Sequence, residues 1–201
     1  MSTSTSTSCD AGDFLKKTPE FAGHNQYWYS RDTVIALVSA ALELSARGGG
    51  GTGSGRIAFV STPSLYFSLP PHQRTNHSVL DIDEQWASDE GFISFDFNKG
   101  VAGLPAKALG VFNVVVVDPP FITEPVWRAY AAACHALLAP NGTVVLTTVA
   151  ENASLLAELF PGAARTPFQP SIPHLVYQYD TFCSADQLPA ALAVKNKEIP
   201  E

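Results

Sequence analysis

A mostly parallel β-sheet layered between helices is the architecture expected of this 201-residue chain. Short apolar runs alternate with helical periodicities through its middle. Two of those runs, Ile57-Ala58-Phe59-Val60 and Val114-Val115-Val116-Val117, are apolar at every position, as parallel strands covered on both faces are. The chain then closes on two extended stretches suited to an antiparallel hairpin. Alternation with that ending reads as an α/β sandwich.

The elements follow in order. Residues 1–13, rich in Ser and Thr, are expected to form a disordered tail, and residues 14–201 one domain. Residues 14–29 read as irregular and end in the aromatic run His24-Asn25-Gln26-Tyr27-Trp28-Tyr29. Ser30 is placed to cap a helix reaching about residue 46, with Val34, Leu37, Val38, Ala41 and Leu42 at helical spacing. The glycine-rich residues 48–55 read as a flexible loop. They precede a strand, whereas a phosphate cradle must follow one and open a helix. Strands are expected at 57–60, 79–82, 92–95, 111–117 and 143–148. A helix over 123–138 starts with Thr123 as cap, Glu124 in the first turn and Pro125 where a missing N–H is harmless. Pro140-Asn141-Gly142 reads as a turn, 151–159 as a helix, and 165–168 with 175–182 as the closing strands.

Composition removes several partners. Twelve Lys and Arg stand against 19 Asp and Glu, a formal net charge of −7. The basic residues are scattered, which argues against nucleic-acid binding through clustered phosphate contacts. No stretch approaches the ~18 apolar residues of a membrane span. Cys9, Cys134 and Cys183 are too few and too far apart for a disulfide framework or a zinc site, so no metal is expected. Cys134 reads as a buried, inert thiol. The start lacks the basic and apolar regions of a secretory signal, and a reduced cytoplasmic setting follows.

In open α/β sheets ligands bind at the carboxyl ends of the strands. The first strand runs into Ser61-Thr62-Pro63-Ser64-Leu65-Tyr66, readable as a structural turn or as hydroxyls for a ligand. The second ends in Leu80-Asp81-Ile82-Asp83, where an acidic residue suits ribose hydroxyls; a solvated acidic turn is the alternative. Asp96, past the third strand, is a similar case, placed to meet an adenine amino group. The strongest signal is Asp118-Pro119-Pro120-Phe121, directly after 114–117. Two prolines make a rigid loop that offers carbonyls and one carboxylate with few competing N–H groups. An aromatic wall follows. Such a loop suits an incoming amine whose lone pair must be steered to an electrophile.

Asp118-Pro119-Pro120-Phe121 is similar to the (Asp/Asn)-Pro-Pro-(Tyr/Phe) motif of amino-directed S-adenosylmethionine methyltransferases. Together with Gln26-Tyr27-Trp28-Tyr29-Ser30, Ser61 to Tyr66, Leu80-Asp81-Ile82-Asp83 and Phe95-Asp96-Phe97-Asn98, it resembles the eukaryotic lysine methyltransferases acting on translation elongation factor 1-alpha. That family was once described as adenine-specific DNA methyltransferases. The resemblance covers about residues 20–182 and implies a seven-stranded Rossmann-like methyltransferase fold, S-adenosylmethionine as cofactor and a protein substrate; a monomer is expected. It implies that Trp28 and Tyr29 lie near the cofactor's methionine end or the substrate channel. Ser61 and Pro63 would sit where most relatives have a glycine-rich loop. Asp81 would hold the ribose, with Asp83 as second choice, and Asp96 would approach the adenine. Asp118, Pro119, Pro120 and Phe121 would line the methyl-transfer site. Adenine methylation of DNA or RNA, and a catalytically silent binding protein, remain the alternatives.

Overall fold

The computed structural model describes residues 11–48 and 55–200. Most of the expected tail, Cys9 and most of the glycine-rich loop lie outside them. Ala11 to Asp13, expected to belong to the tail, form the first turn of helix α1 (Ala11–Lys17). The next residue supplies the anchor: Phe14 is buried, stacks on Phe67 at 6.0 Å and meets Trp28 edge-on at 5.4 Å.

The order continues as α2 (Arg31–Gly48), β1 (Ile57–Val60), α3 (Pro63–Phe67), α4 (Pro71–Arg74), β2 (Ser78–Asp81), β3 (Phe92–Ser94) and β4 (Phe112–Val117). It ends with α5 (Glu124–Leu137), β5 (Leu138–Val149), α6 (Ala153–Leu159), β6 (Ala164–Arg165) and β7 (Tyr179–Cys183). Seven strands form one sheet in the order β3-β2-β1-β4-β5-β7-β6. Strands β1 to β5 are mutually parallel, and β7 runs antiparallel to both neighbours.

Alternation along each strand assigns its residues to two cores. Ile57, Phe59, Val79, Val114, Val116 and Val145 face α2 through Val34, Leu37, Val38 and Ala41. Ala58, Val60, Leu80, Val115, Val117 and Leu146 face α5 through Trp127, Tyr130, Cys134 and Leu137. This is why the strand sequences show no alternation: both faces are covered. Cys134 is fully buried, which pushes its thiol pKa up to about 12 and leaves it unreactive.

Three local differences have physical causes. Ser30 caps α2, accepting the Thr33 backbone N–H at 3.1 Å, but Thr123 makes no such bond at α5. Pro125 removes one of the amides a cap would serve. The turn at Pro140-Asn141-Gly142 lies within the long extended segment β5; Asn141 takes a left-handed φ of 61° and the pairing register jumps there. The closing hairpin is shorter than expected because Pro167, Pro170 and Pro173 cannot donate to a ladder. The intervening chain instead passes across the carboxyl end of the sheet.

Candidate active site

Parallel pairing puts several strand ends at one level. Val60 pairs with Leu80 on one side and Val117 on the other, so Ser61, Asp81 and Asp118 emerge together. Above them lies a cavity of about 260 Å³. Its lining includes Trp28, Ser61, Pro63, Asp81 and Asp118 through Phe121, eight of the positions expected from sequence. Tyr29, Asp83 and Asp96 are not in the lining.

The first strand's loop turns through Ser61 with a left-handed φ of 54°. That conformation normally favours glycine. Ser61 Oγ lies 2.8 Å from Tyr130 Oη, which ties the turn to α5. At the end of β2, Asp81 is buried and accepts the Asp83 backbone N–H at 2.9 Å, leaving it room for other donors. Burial raises its pKa to about 6, with that backbone bond opposing the rise. Asp83 differs. Burial pulls its pKa upward, but Gln85, Gln26 and the nearby His24 outweigh that and leave it below the ordinary value. Its Oδ2 accepts from Gln26 Nε2 at 3.0 Å, so it serves the wall of the cavity. Asp96 caps its own turn, accepting Asn98 N at 2.9 Å and Asn98 Nδ2 at 3.0 Å. Phe95, Phe97 and Asn98 around it supply the lining.

Asp118 follows β4 and faces the cavity from within a shell of protein. Tyr29 Oη donates to its Oδ2 at 2.7 Å. Burial raises the Asp118 pKa to about 7, against the pull of the Tyr29 and Thr147 hydroxyls behind it. The two prolines hold the following backbone, and Asn25 Nδ2 donates to the Pro120 carbonyl. Phe121 stands half-exposed at the rim.

The N-terminal crossing that closes the cavity was readable only as an irregular aromatic run. Trp28 anchors it by donating Nε1 to Thr18 O at 3.0 Å, and Asn25 turns it with φ 53°. His24 Nδ1 and Gln26 Oε1 are buried without hydrogen-bond partners at this wall. Across the sheet, Ile172, Leu175 and Tyr179 complete the enclosure. Among the described lining residues His24 is the only basic side chain, beside Asp81 and Asp118. The cavity suits cationic ligands.

Asp118 gives a stability prediction. With a folded-state pKa near 7 against an ordinary 3.8, the folded protein holds a proton that the unfolded chain has released. That contribution is complete below about pH 4 and is lost as pH rises through about 7. Asp118→Asn is expected to be more stable than the parent at pH 8, by about 1–2 kcal/mol after allowing for water in the open cavity. The gain vanishes at pH 4. Urea denaturation at both pH values checks it, and a pH-independent difference would contradict it.

The strand order, the antiparallel seventh strand and the cavity over the carboxyl ends define a Rossmann-like methyltransferase fold. The chain belongs to the probable N6-adenine methyltransferase family, whose model matches residues 20–187. It is 33% identical over 139 residues to EEF1A lysine methyltransferase 1 of Homo sapiens, covering 67% of this chain and 61% of that protein. The chain thus spans about three-fifths of that relative's length. A protein-lysine N-methyltransferase of Dictyostelium discoideum is 25% identical over 177 residues, covering 87% of this chain and 80% of its own. Among solved structures, the branched-chain polyamine synthase of Thermus thermophilus aligns with TM-score 0.55 and 16% identity, over 91% of this chain and 66% of that one. A protein from Corynebacterium glutamicum aligns with TM-score 0.52 and 16% identity, over 92% and 93%. These two similarities concern the fold.

Proposed function

We propose that this protein is an S-adenosylmethionine-dependent protein-lysine N-methyltransferase acting in the cytoplasm, as a monomer, on translation elongation factor 1-alpha. The observation that supports it best is Asp118: a carboxylate at the end of β4, hydrogen-bonded from behind and opening on a cavity with an aromatic rim. The names of the human and Dictyostelium relatives support the lysine target.

The cavity's residues fit the cofactor. Asp81 is buried with acceptor capacity left for vicinal ribose hydroxyls, and Phe95, Phe97 and Ile82 offer apolar surface to a purine. The orphaned Gln26 Oε1 is an acceptor that a ligand ammonium would satisfy. When bound, S-adenosylmethionine supplies an electrophilic methyl group on a sulfonium.

Everything else falls to the chain. A lysine side chain arrives as an ammonium, with an unperturbed pKa of about 10.4. Asp118 attracts it, orients it with the Pro119 carbonyl, and accepts a proton as the closed site excludes water. A carboxyl that titrates near neutrality is suited to that exchange. Phe121 and Trp28, both in the lining, offer aromatic surface to the cation.

The family's own description favours a second reading, methylation of adenine. A neutral adenine amine has less need of a carboxylate, and a net charge of −7 opposes a polyphosphate. One experiment separates the readings. The protein is incubated with methyl-labelled S-adenosylmethionine and either elongation factor 1-alpha or DNA and RNA. Nuclease-resistant label on lysine of the elongation factor is expected. Label confined to nucleic acid would overturn the proposal, and absence of cofactor binding would leave a silent binding protein.

A further inference from the structure

Tyr29 has a feature that the proposed reaction does not yet use. It is 3% exposed, lies behind the cavity wall rather than in it, and touches both Asp118 and β5. An ionised carboxylate can only accept, so the 2.7 Å contact with Asp118 Oδ2 commits the single Tyr29 proton to Asp118. The 2.6 Å contact between Tyr29 Oη and Thr147 Oγ1 must then run the other way, with Thr147 donating. Thr147 is itself held in the sheet, opposite Thr181 of β7.

We infer that Tyr29 is a positioning residue rather than a cofactor contact: the donor chain Thr147 to Tyr29 to Asp118 holds one carboxylate oxygen in place and favours the ionised form of Asp118 for the incoming lysine. This rests on the lysine-methyltransferase reading for its catalytic consequence, although the hydrogen-bond chain itself does not. A charge-assisted bond from a buried phenol favours the anion and opposes the desolvation that favours the acid. The phenol does not compete for the proton, because burial, with the charge of Asp118 adding to it, raises the Tyr29 pKa well above its ordinary value.

The other groups facing Asp118 do not replace this support. Tyr130 on α5 and Tyr179 on β7 are raised by burial and further by the Asp118 charge, so both stay neutral. Asp81 lies across the cavity on β2 with a like charge, and His24 sits against Asp83, 3.5 Å from its Oδ2. Neither Asp81 nor His24 donates to Asp118 among the described contacts.

The test is Tyr29→Phe, which keeps the ring and removes only the hydroxyl. The Asp118 carboxyl is followed by carbon-13 NMR in the ligand-free protein, with Asp118→Asn to assign the signal. Its midpoint is expected to rise by about one pH unit or more on loss of a hydrogen bond to the charged form. At saturating cofactor, the acid limb of kcat/KM for the protein substrate should move up by the same amount, with activity largely recovered at high pH. Thr147→Val should shift both in the same direction by less, and it tests the chain from its far end should Tyr29→Phe fail to fold. An unmoved midpoint would overturn the inference. So would an equal loss at every pH, which marks a merely structural role, or a raised cofactor KM with an unmoved acid limb, which marks a cofactor contact. Failure of the parent protein to methylate the elongation factor would count against the functional proposal instead, because the NMR titration needs no substrate.

Discussion

Asp118→Ala is expected to lower kcat/KM for methyl transfer by about 10²- to 10⁴-fold, the range for removing a positioned acid–base group or a charge-stabilising contact. Cofactor affinity should stay within a few-fold. The substitution deletes a carboxylate and little else. Pro119 and Pro120 still restrict the loop, Asn25 still donates to the Pro120 carbonyl, and the Asp118 backbone N–H still bonds Val60 O at 3.3 Å. Tyr29 keeps Thr147 as a partner, so no buried hydroxyl is stranded. The ammonium, however, loses its only carboxylate at the end of β4. Steady-state kinetics and calorimetry with cofactor on the same preparation separate the two effects. Unchanged kcat/KM with normal binding would remove Asp118 from the mechanism.

The sheet was legible because its strands are short, continuous and β-branched, and parallel strands buried on both faces leave that signature. Asp118 was legible for a related reason: a carboxylate with two prolines directly after such a strand sits where ligands collect. The closing segment was misread in extent. Leu175-Val176-Tyr177 looks like strand by composition, but Pro170 and Pro173 keep it out of the ladder, and it skirts the cavity instead with Val176 and Tyr177 exposed. The crossing at 22–28 was the least legible part of the site. It has no periodicity, and its conformation comes from long-range bonds, Asn25 to Pro120 and Gln26 to Asp83, that no local pattern specifies. The same applies to the acidic positions: Asp81, Asp83 and Asp96 look alike in sequence, and only their partners tell them apart.

That difference among partners carries an expected result. Asp81→Ala should weaken S-adenosylmethionine binding by about 10- to 100-fold, the loss of one or two charge-assisted hydrogen bonds to ribose hydroxyls. Asp83→Ala should weaken it only a few-fold. The carboxylate of Asp83 is already occupied by Gln26 and by the Gln85 backbone N–H at 3.1 Å, so its loss would slacken the wall without removing a ligand contact. Asp81 has the opposite balance: it is buried, and its side chain meets only backbone donors, chiefly Asp83 and then Ile82, which leaves acceptor capacity unused and lets burial raise its pKa to about 6. The sign of the pH effect follows. Only the ionised carboxylate offers both oxygens as acceptors, so cofactor affinity in the parent protein should fall as pH drops through about 6. Binding cofactor should itself release protons near pH 6 and almost none at pH 8, since hydroxyl donors favour the charged form and expel the Asp81 proton. Calorimetry in buffers of different ionisation enthalpy measures both quantities. In Asp81→Ala the pH dependence should flatten together with the affinity; a variant that binds weakly but keeps the full pH dependence would place the ribose contact elsewhere.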